Sequence, residues 1–286
     1  LTKAGNGTLT LSASNTYTGA TTVSAGKLTV SNNTALGTAD AGTTVDAGAT
    51  LELSNINYST AEALALSGTL GATGTSTYAG VTNIAASSVI TVATSATLNM
   101  SAGLTGAAAL EKTGAGVLTL SATNSFTGDL TVSAGKVDNN STLADTADVI
   151  VANNATAIYE VGANDTINSL EVGTQGRVVL TEDLTTGDDG NNTFAGVISG
   201  AGDITKRGTG TLTITGDQTF TGSLNVNAGK VDNDGTLADT VNVTVSNASG
   251  SIYEVGATDT IGSLALAGTN SSVILTAGLT TGDGGD

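Results

Sequence analysis

The stretch Lys112-Thr-Gly-Ala-Gly-Val-Leu-Thr-Leu-Ser-Ala-Thr-Asn-Ser-Phe-Thr-Gly-Asp-Leu-Thr-Val-Ser-Ala-Gly-Lys-Val137 decides the fold, because the chain repeats it. Lys3–Val30 and Lys206–Val231 carry the same pattern. Downstream, the string Tyr-Glu-Val-Gly-Ala at position 159 returns at position 253, an offset of 94 residues. A unit that cannot bury a core alone must stack on its neighbours, so the repetition predicts a solenoid.

The repetition divides the chain into three repeat units, residues 1–109, 110–203 and 204–286. The second and third are near-copies over 110–187 and 204–282, whereas the first is more diverged. We expect the three repeat units to form one continuous solenoid.

Strand phrases recur within each repeat unit, as in Leu28-Thr-Val-Ser31, Leu64-Ala-Leu-Ser67 and Leu118-Thr-Leu-Ser121. Apolar residues alternate with outward-facing ones, which is the period of a β-strand. Turn compositions such as Ser-Ala-Gly separate the phrases. The pattern predicts strands of about three to five residues and almost no helix, with Ala107–Lys112 also a strand.

Two architectures accommodate a repeat of this length, tandem immunoglobulin-like sandwiches and a parallel β-helix. Sandwiches of this size usually bury large aromatic residues, but the chain has no Trp. The phrases also recur at gaps of roughly 10–25 residues, which suit solenoid turns. We therefore predict an all-β parallel β-helix, a β-solenoid, with roughly 20–23 residues per turn. At about 4.8 Å per turn it would be a rod on the order of 60 Å long.

Composition excludes several classes of site. The chain has no Cys and no His, so disulfides, thiolate nucleophiles and the usual zinc or iron sites are excluded. The absence of Pro suits uninterrupted strand stacking. The net charge of −17 argues against nucleic acid or an anionic membrane surface as a partner. No apolar run is long enough to span a membrane as a helix.

Aromatic and lysine residues recur at equivalent positions, which we interpret as stacked columns. Tyr17, Phe126 and Phe220 form one aromatic set, and the interior of the solenoid is their expected place. The lysines form two sets, Lys3, Lys112 and Lys206, and Lys27, Lys136 and Lys230. We expect both sets to be solvated or paired with neighbouring acids, with each pair worth little.

Acidic turns are candidate calcium sites, because carboxylates in tight Gly turns supply the hard oxygen ligands that Ca²⁺ prefers. The candidate ligands are Asp188 and Asp189 in one turn and Asp232 and Asp234 in another, and Gly282–Asp286 is a similar loop. The alternative interpretation is an ordinary turn, since Asp, Asn and Gly are also turn residues. No other cofactor is predicted.

Catalysis is the weaker interpretation of the acids. A polysaccharide hydrolase needs two carboxylates within roughly 5–10 Å, and Glu182-Asp183 and Asp188-Asp189 are the densest acidic spots. Other acids recur with the repeat, such as Asp165 with Asp259, whereas a catalytic site should be unique. We predict no enzyme activity and name no catalytic residue.

The stretches Lys3–Val30, Lys112–Val137 and Lys206–Val231 resemble the passenger-associated repeat of bacterial autotransporters. Phe194–Lys206 resembles the usual lead-in to that repeat. The resemblance implies a right-handed parallel β-helix that is exported through an outer membrane and displayed on the cell surface. It implies little about chemistry, because the helix in that family is often a stalk.

We predict a structural and adhesive segment of a large cell-surface or extracellular bacterial protein, anchored to the outer membrane by other parts. Its expected partners are glycans of host or neighbouring cell surfaces or matrix. A self-assembling filament or surface-layer protomer is one alternative, and a carbohydrate-active β-helix enzyme is another. The sequence starts at Leu1 inside a motif, so we expect a piece of a longer chain with covered ends or end-to-end self-association.

Overall fold

The computed structural model describes residues 1–246, 248 and 250–282. The chain divides into two units, unit 1 from Leu1 to Ala147 and unit 2 from Asp148 to Asp286. The boundary falls inside the predicted repeat unit 110–203, and the division into the repeat units 1–109, 110–203 and 204–286 stays a prediction.

Unit 1 contains 18 short strands. They are β1 Thr2–Lys3, β2 Thr8–Leu11, β3 Thr21–Val23, β4 Lys27–Val30, β5 Thr43–Val45, β6 Thr50–Ser54, β7 Asn57–Tyr58, β8 Leu64–Leu66, β9 Thr69–Thr73, β10 Thr75–Tyr78, β11 Thr82–Ile84, β12 Ser88–Val92, β13 Thr97–Met100, β14 Leu104–Gly106, β15 Leu110–Thr113, β16 Val117–Leu120, β17 Leu130–Val132 and β18 Lys136–Asn139. Successive strands pass from sheet to sheet, so each sheet takes about every third strand. The three sheets follow the orders β1-β3-β5-β8-β11-β14, β2-β4-β6-β9-β12-β15-β17 and β7-β10-β13-β16-β18.

Unit 2 contains a further 18 strands among its described residues. They are β19 Asp148–Val151, β20 Ile158–Val161, β21 Asp165–Thr166, β22 Ser169–Val172, β23 Arg177–Leu180, β24 Leu184–Thr186, β25 Asn192–Phe194, β26 Val197–Gly200, β27 Ile204–Lys206, β28 Thr211–Ile214, β29 Leu224–Val226, β30 Lys230–Asn233, β31 Asn242–Val245, β32 Ile252–Val255, β33 Asp259–Ile261, β34 Ser263–Leu266, β35 Ser272–Leu275 and β36 Leu279–Thr281. Their sheets follow the orders β19-β22-β25-β28-β30-β32-β35, β21-β24-β27-β29-β31-β34, β20-β23-β26 and β33-β36.

Each unit is a parallel β-solenoid, which confirms the predicted fold class. Every strand pairs with the strand one turn away, as Leu118 does with Val137 in unit 1 and Leu212 does with Val231 in unit 2. The turn length varies, since Leu64 pairs with Thr82 after 18 residues and Lys27 pairs with Thr50 after 23 residues. The described residues form no helix, and thus none that could cross a membrane.

Alternation along the strands builds the core of each unit. In β16, Leu118 and Leu120 point inward and are buried, whereas Thr119 is half-buried on the outer face. Parallel strands place equivalent inward residues above one another, so the interior becomes a set of apolar stacks. Most strands have the predicted three to five residues, and a few have two. Of the predicted strand Ala107–Lys112, residues 110–112 lie in β15, whereas residues 107–109 lie in the bend before it.

The prediction that equivalent residues of successive repeats stack on one another is wrong. Within unit 1, Lys3 lies on β1 and its equivalent Lys112 lies on β15, and these strands belong to different sheets. The stacks that exist join residues one turn apart, such as Thr2 with Thr22. One copy of the motif therefore does not stack on the next, because several turns lie between them and the motif recurs on another face.

Candidate functional site

The lysines at the start of each motif are buried. Lys3, Lys112 and Lys206 are 6%, 0% and 1% exposed. In β15 the alternation that buries Leu110 also turns Lys112 inward, two residues later. The side chain then passes under the Gly-x-Gly turn that follows the strand.

A cage of three carbonyl oxygens surrounds each of these ammonium groups. Lys112 Nζ donates to the backbone oxygens of Thr113 at 2.9 Å, Gly114 at 2.8 Å and, one turn further, Ala134 at 2.9 Å. The cage recurs around Lys3, with Ala4, Gly5 and Ala25, and around Lys206, with Arg207, Gly208 and Ala228. Each lysine thus ties one turn of the solenoid to the next.

Burial lowers the pKa of two of the caged lysines, Lys112 and Lys206. Removal from water lowers the pKa of Lys112 to about 8. Burial also lowers the pKa of Lys206, while the charges of Asp188 and Asp189 oppose that shift. At neutral pH the ammonium form of Lys112 therefore predominates, with three protons to fill its three-oxygen cage.

A glycine with left-handed backbone closes the cage from the next turn. Gly135 has φ of +70°, and a Cβ there would lie 2.4 Å from the oxygens of Gly114 and Gly116 and 2.8 Å from Lys112 Nζ. No other residue fits this position without moving the cage. The Ser-Ala-Gly of the motif is therefore a packing requirement as well as a turn.

A second corner device uses a carboxamide. Asn124 Nδ2 donates to the oxygens of Ala122 and Thr142, and its Oδ1 accepts from the backbone nitrogen of Leu104. Gln218, its equivalent in unit 2, repeats this with Gly216, Gly196 and Ile198. These amides satisfy backbone groups where a corner has no regular strand.

The aromatic residue of the motif fills the interior beside this amide. Phe126 and Phe220 are fully buried, which confirms their predicted place. Tyr17 is half-buried, and its hydroxyl lies 2.7 Å from that of Thr21. All the other tyrosines are buried as well.

The second lysine of each motif lies on the outer face and pairs with acids, as predicted. Lys27 Nζ lies 2.6 Å from Glu52 in unit 1. Lys230 Nζ lies 2.9 Å from Asp232 and 2.6 Å from Glu254 in unit 2. The prediction that Lys3, Lys112 and Lys206 are also solvated or acid-paired is wrong, because backbone carbonyls take the place of acids.

The four candidate calcium ligands lie in two separate places of unit 2. Asp188 accepts bonds from Gly190 N at 2.8 Å and Asn192 Nδ2 at 3.2 Å. Asp189 is exposed and accepts from the backbone and hydroxyl of Thr209, which lower its pKa. Both carboxylates therefore stabilise the corner of the solenoid in which they lie.

The other two candidates follow one another along the outer face. Asp232 is on β30 with Lys230 at its carboxylate, and Asp234 is exposed just beyond the strand. Within residues 1–246, 248 and 250–282, no three acidic side chains come together as a metal site. Residues 283–286 of the loop Gly282–Asp286 lie outside the described residues. Calcium binding stays a prediction.

Three acids are buried among the described residues, Glu62, Asp165 and Asp259, and the sequence analysis predicted the burial of none of them. Asp259 accepts from Asn233 Nδ2 at 2.9 Å, Leu237 N at 3.1 Å and Thr260 N at 2.9 Å, and burial raises its pKa. Glu62 is 1% exposed, and it is not one of the acids that recur at equivalent positions of the repeat. Asp259 and Glu62 both follow a buried tyrosine by a few residues, a signal that is visible only in hindsight.

Comparison with known proteins identifies the motif that carries the cages. The family model of the passenger-associated-transport repeat matches residues 1–30, 110–138 and 204–232. Three stretches of the chain are similar to this repeat. These matches confirm the resemblance to autotransporter passengers, and each spans one caged lysine, one corner amide and one aromatic residue.

A relative of the chain is the adhesin BmaC autotransporter of Brucella suis biovar 1 (strain 1330). The two are 34% identical over 142 residues, which are 47% of this chain and 4% of the adhesin. The chain thus matches a small part of a much longer protein. No solved structure matches.

Proposed function

We propose that the chain is a stalk segment of a surface-displayed bacterial adhesin, and that it holds adhesive surfaces away from the cell without catalysing a reaction. The observation that carries this proposal is the use of the motif's own polar groups. The caged lysine and the corner amide donate their hydrogen bonds to backbone oxygens of the solenoid itself. A motif whose polar groups are internal supports a structural role.

Three grooves on the outer surface of unit 1 support adhesion over hydrolysis. These shallow grooves have volumes of about 240, 230 and 180 Å³. The first contains the carboxylate of Glu111, the third contains that of Glu52, and the second contains none. Hydrolysis of a glycosidic bond uses two carboxylates that flank it. The adhesin relative points the same way.

The expected partners are glycans of a host or neighbouring cell surface or of a matrix. The outer columns of the sheets offer hydroxyl, carboxylate and ammonium groups, such as Thr91, Glu52 and Lys27, which suit hydrogen bonding to sugars. Localisation at the cell surface, with anchoring through an outer membrane by other parts, belongs to the same proposal.

The test couples the purified 286-residue chain to microspheres and measures retention under flow on glycan-coated and matrix-coated surfaces. Retention above that of albumin-coated microspheres supports adhesion, and retention on none of them leaves a stalk without adhesive contacts. The stalk itself is tested by pulling single molecules. We expect successive force peaks, each releasing about one turn of the solenoid. Release of new reducing ends from a polysaccharide panel would contradict the non-catalytic proposal.

A second candidate function is self-association into a filament, favoured by β34 and β35. Leu266 and Leu275 pair in register with buried residues of the preceding turn, yet they are 53% and 59% exposed. β34 and β35 are each paired on one side only among the described residues, and such sheet edges with apolar side chains are templates for another chain. Sedimentation velocity should then show oligomers that Leu266→Lys and Leu275→Lys dissolve, whereas a monomer at high concentration would exclude this function.

A further inference from the structure

Glu62 is a buried carboxylate that the stalk function does not use. It lies between β7 and β8 in unit 1, and it is 1% exposed. Its backbone oxygen accepts from the hydroxyl of Tyr78 at 2.7 Å. A Cβ on Gly80 would lie 1.7 Å from this same oxygen, so the backbone of the segment is held closely.

Among the described residues, the groups that donate to the carboxylate are both hydroxyls. Thr43 donates to Oε1 at 2.5 Å and Tyr58 donates to Oε2 at 2.5 Å. Both donors are buried, and the rings of Tyr58 and Tyr78 stack with centroids 5.5 Å apart at an interplanar angle of 9°. The carboxylate therefore connects β5 and β7, and Tyr78 of β10 joins them through the backbone oxygen of Glu62 and the ring of Tyr58.

No cation balances this charge. Among the described residues, no lysine or arginine forms an ion pair with Glu62. The titratable groups near enough to be affected by its charge are Tyr58, Tyr78 and Tyr17, and each is neutral at physiological pH. An ionised carboxylate out of water, without a cation, is costly, and binding a proton removes that cost.

Asp259 in unit 2 shows the contrast. It is also buried, but three N–H donors point at its carboxylate and stabilise the charge. Glu62 has two hydroxyl donors, and a hydroxyl can rotate to accept from a protonated carboxyl group as readily as it donates to an ionised one. The site of Glu62 is therefore suited to both protonation states.

We propose that Glu62 is a proton-binding site that makes the packing of β5, β7 and β10 tighter in mildly acidic surroundings and looser at neutral pH. This inference goes beyond the stalk function and does not depend on it. Burial raises the pKa of Glu62 above its ordinary value of 4.5. Between that value and its folded pKa, the folded chain holds a proton that the unfolded chain has released. The stabilisation is thus complete below pH 4.5 and is lost as the pH rises through the folded pKa.

The test is amide hydrogen exchange of the intact chain, followed by mass spectrometry and corrected for intrinsic exchange rates, from pH 4 to pH 8. In the wild type we expect protection of residues 43–66 to fall about tenfold for each pH unit between the unfolded and folded pKa. Glu62→Gln should abolish this fall. Glu111→Gln, which removes an acid from the outer face of unit 1, should keep it.

A second measurement keeps the proposal testable if Glu62→Gln does not fold. The ¹³C resonance of the Glu62 carboxyl group in the wild type reports its protonation directly. A midpoint above 4.5 that rises further in Tyr58→Phe, which removes a donor to the carboxylate, supports the site. A midpoint at or below 4.5, or a pH response of residues 43–66 that Glu62→Gln leaves unchanged, overturns the proposal.

Discussion

Unit 1 and unit 2 build the same parallel solenoid under different surface charges. Unit 1 carries eight acidic and four basic residues, whereas unit 2 carries seventeen acidic and four basic residues. Their interiors are built alike, because Lys112 in unit 1 and Lys206 in unit 2 each donate to an equivalent set of three carbonyl oxygens. The comparison teaches that the inward side chains and the corners determine the fold, whereas the charge of the outward side chains can differ without changing it.

The largest effect should come from the interior aromatic residues. Phe220→Ala in unit 2 and Phe126→Ala in unit 1 should each cost about 3–5 kcal/mol, through lost burial and the cavity that remains. Tyr17→Ala should cost less, because that ring is half-exposed. Denaturant unfolding with hydrogen exchange as a local readout measures all three. Equal losses for the three variants would mean that burial does not distinguish these positions.

The caged lysines should come next, and unit 2 offers an internal control. Lys206→Met keeps the length of the side chain but leaves three buried carbonyls without a donor. An unsatisfied buried carbonyl costs about 1–3 kcal/mol, and because these bonds are only part-buried each should cost near the lower end, so we expect a total loss on the order of 3 kcal/mol. Lys230→Met removes only outer ion pairs and should cost less than about 1 kcal/mol. Similar losses for the two variants would contradict the cage as a source of stability.

The pH dependence at Lys112 sharpens the comparison in unit 1. The folded pKa of about 8 lies below the ordinary lysine value of 10.5. Between these values the unfolded chain holds a proton that the folded chain has released, so raising the pH favours the folded chain. The free energy of unfolding of the wild type relative to Lys112→Met should therefore rise from pH 8 to pH 10.5. This difference isolates Lys112, since buried tyrosines such as Tyr78 act in the opposite direction. A difference that stays constant over this pH range would contradict the prediction.

Calcium should have the smallest effect, and it is specific to unit 2. The prediction concerns Asp188 and Asp189, and Asp232 and Asp234. Asp188 and Asp189 already accept hydrogen bonds from backbone nitrogens, and Asp232 already pairs with Lys230. Thermal unfolding at fixed ionic strength measures the response to Ca²⁺. Saturable stabilisation that Mg²⁺ does not reproduce, and that Asp188→Asn or Asp232→Asn removes, would establish a site. Equal responses to both cations would leave ordinary turns.

The period of the sequence was enough to predict the solenoid. Phrases such as Leu118-Thr-Leu-Ser121 alternate as strands do, and their spacing matches the observed turns of 18–23 residues. The burial of Phe126 and Phe220 was also predictable, because large aromatic residues in a thin core have few other places. The right-handedness that the resemblance implies stays a prediction.

The lysine cage could not be predicted by the ordinary rule that lysine faces water. The alternation did carry a signal, because Lys112 has the same phase as the buried Leu110. What the sequence alone does not show is that the Gly114 and Ala134 oxygens converge where that side chain ends. The sequence also did not show how many sheets each turn of the solenoid contributes to. Equivalent motifs were therefore expected to stack, but they lie on different sheets.

The measurement that tests the account most directly is proton exchange at the six lysine ammonium groups, observed by ¹⁵Nζ NMR near neutral pH in one sample. Buried, hydrogen-bonded ammonium protons exchange slowly, whereas those on the outer face exchange fast. We predict slow exchange for Lys3, Lys112 and Lys206 and fast exchange for Lys27, Lys136 and Lys230. Six signals with the same fast exchange would contradict the caged corners, and with them the claim that the repeat motif is an internal clamp.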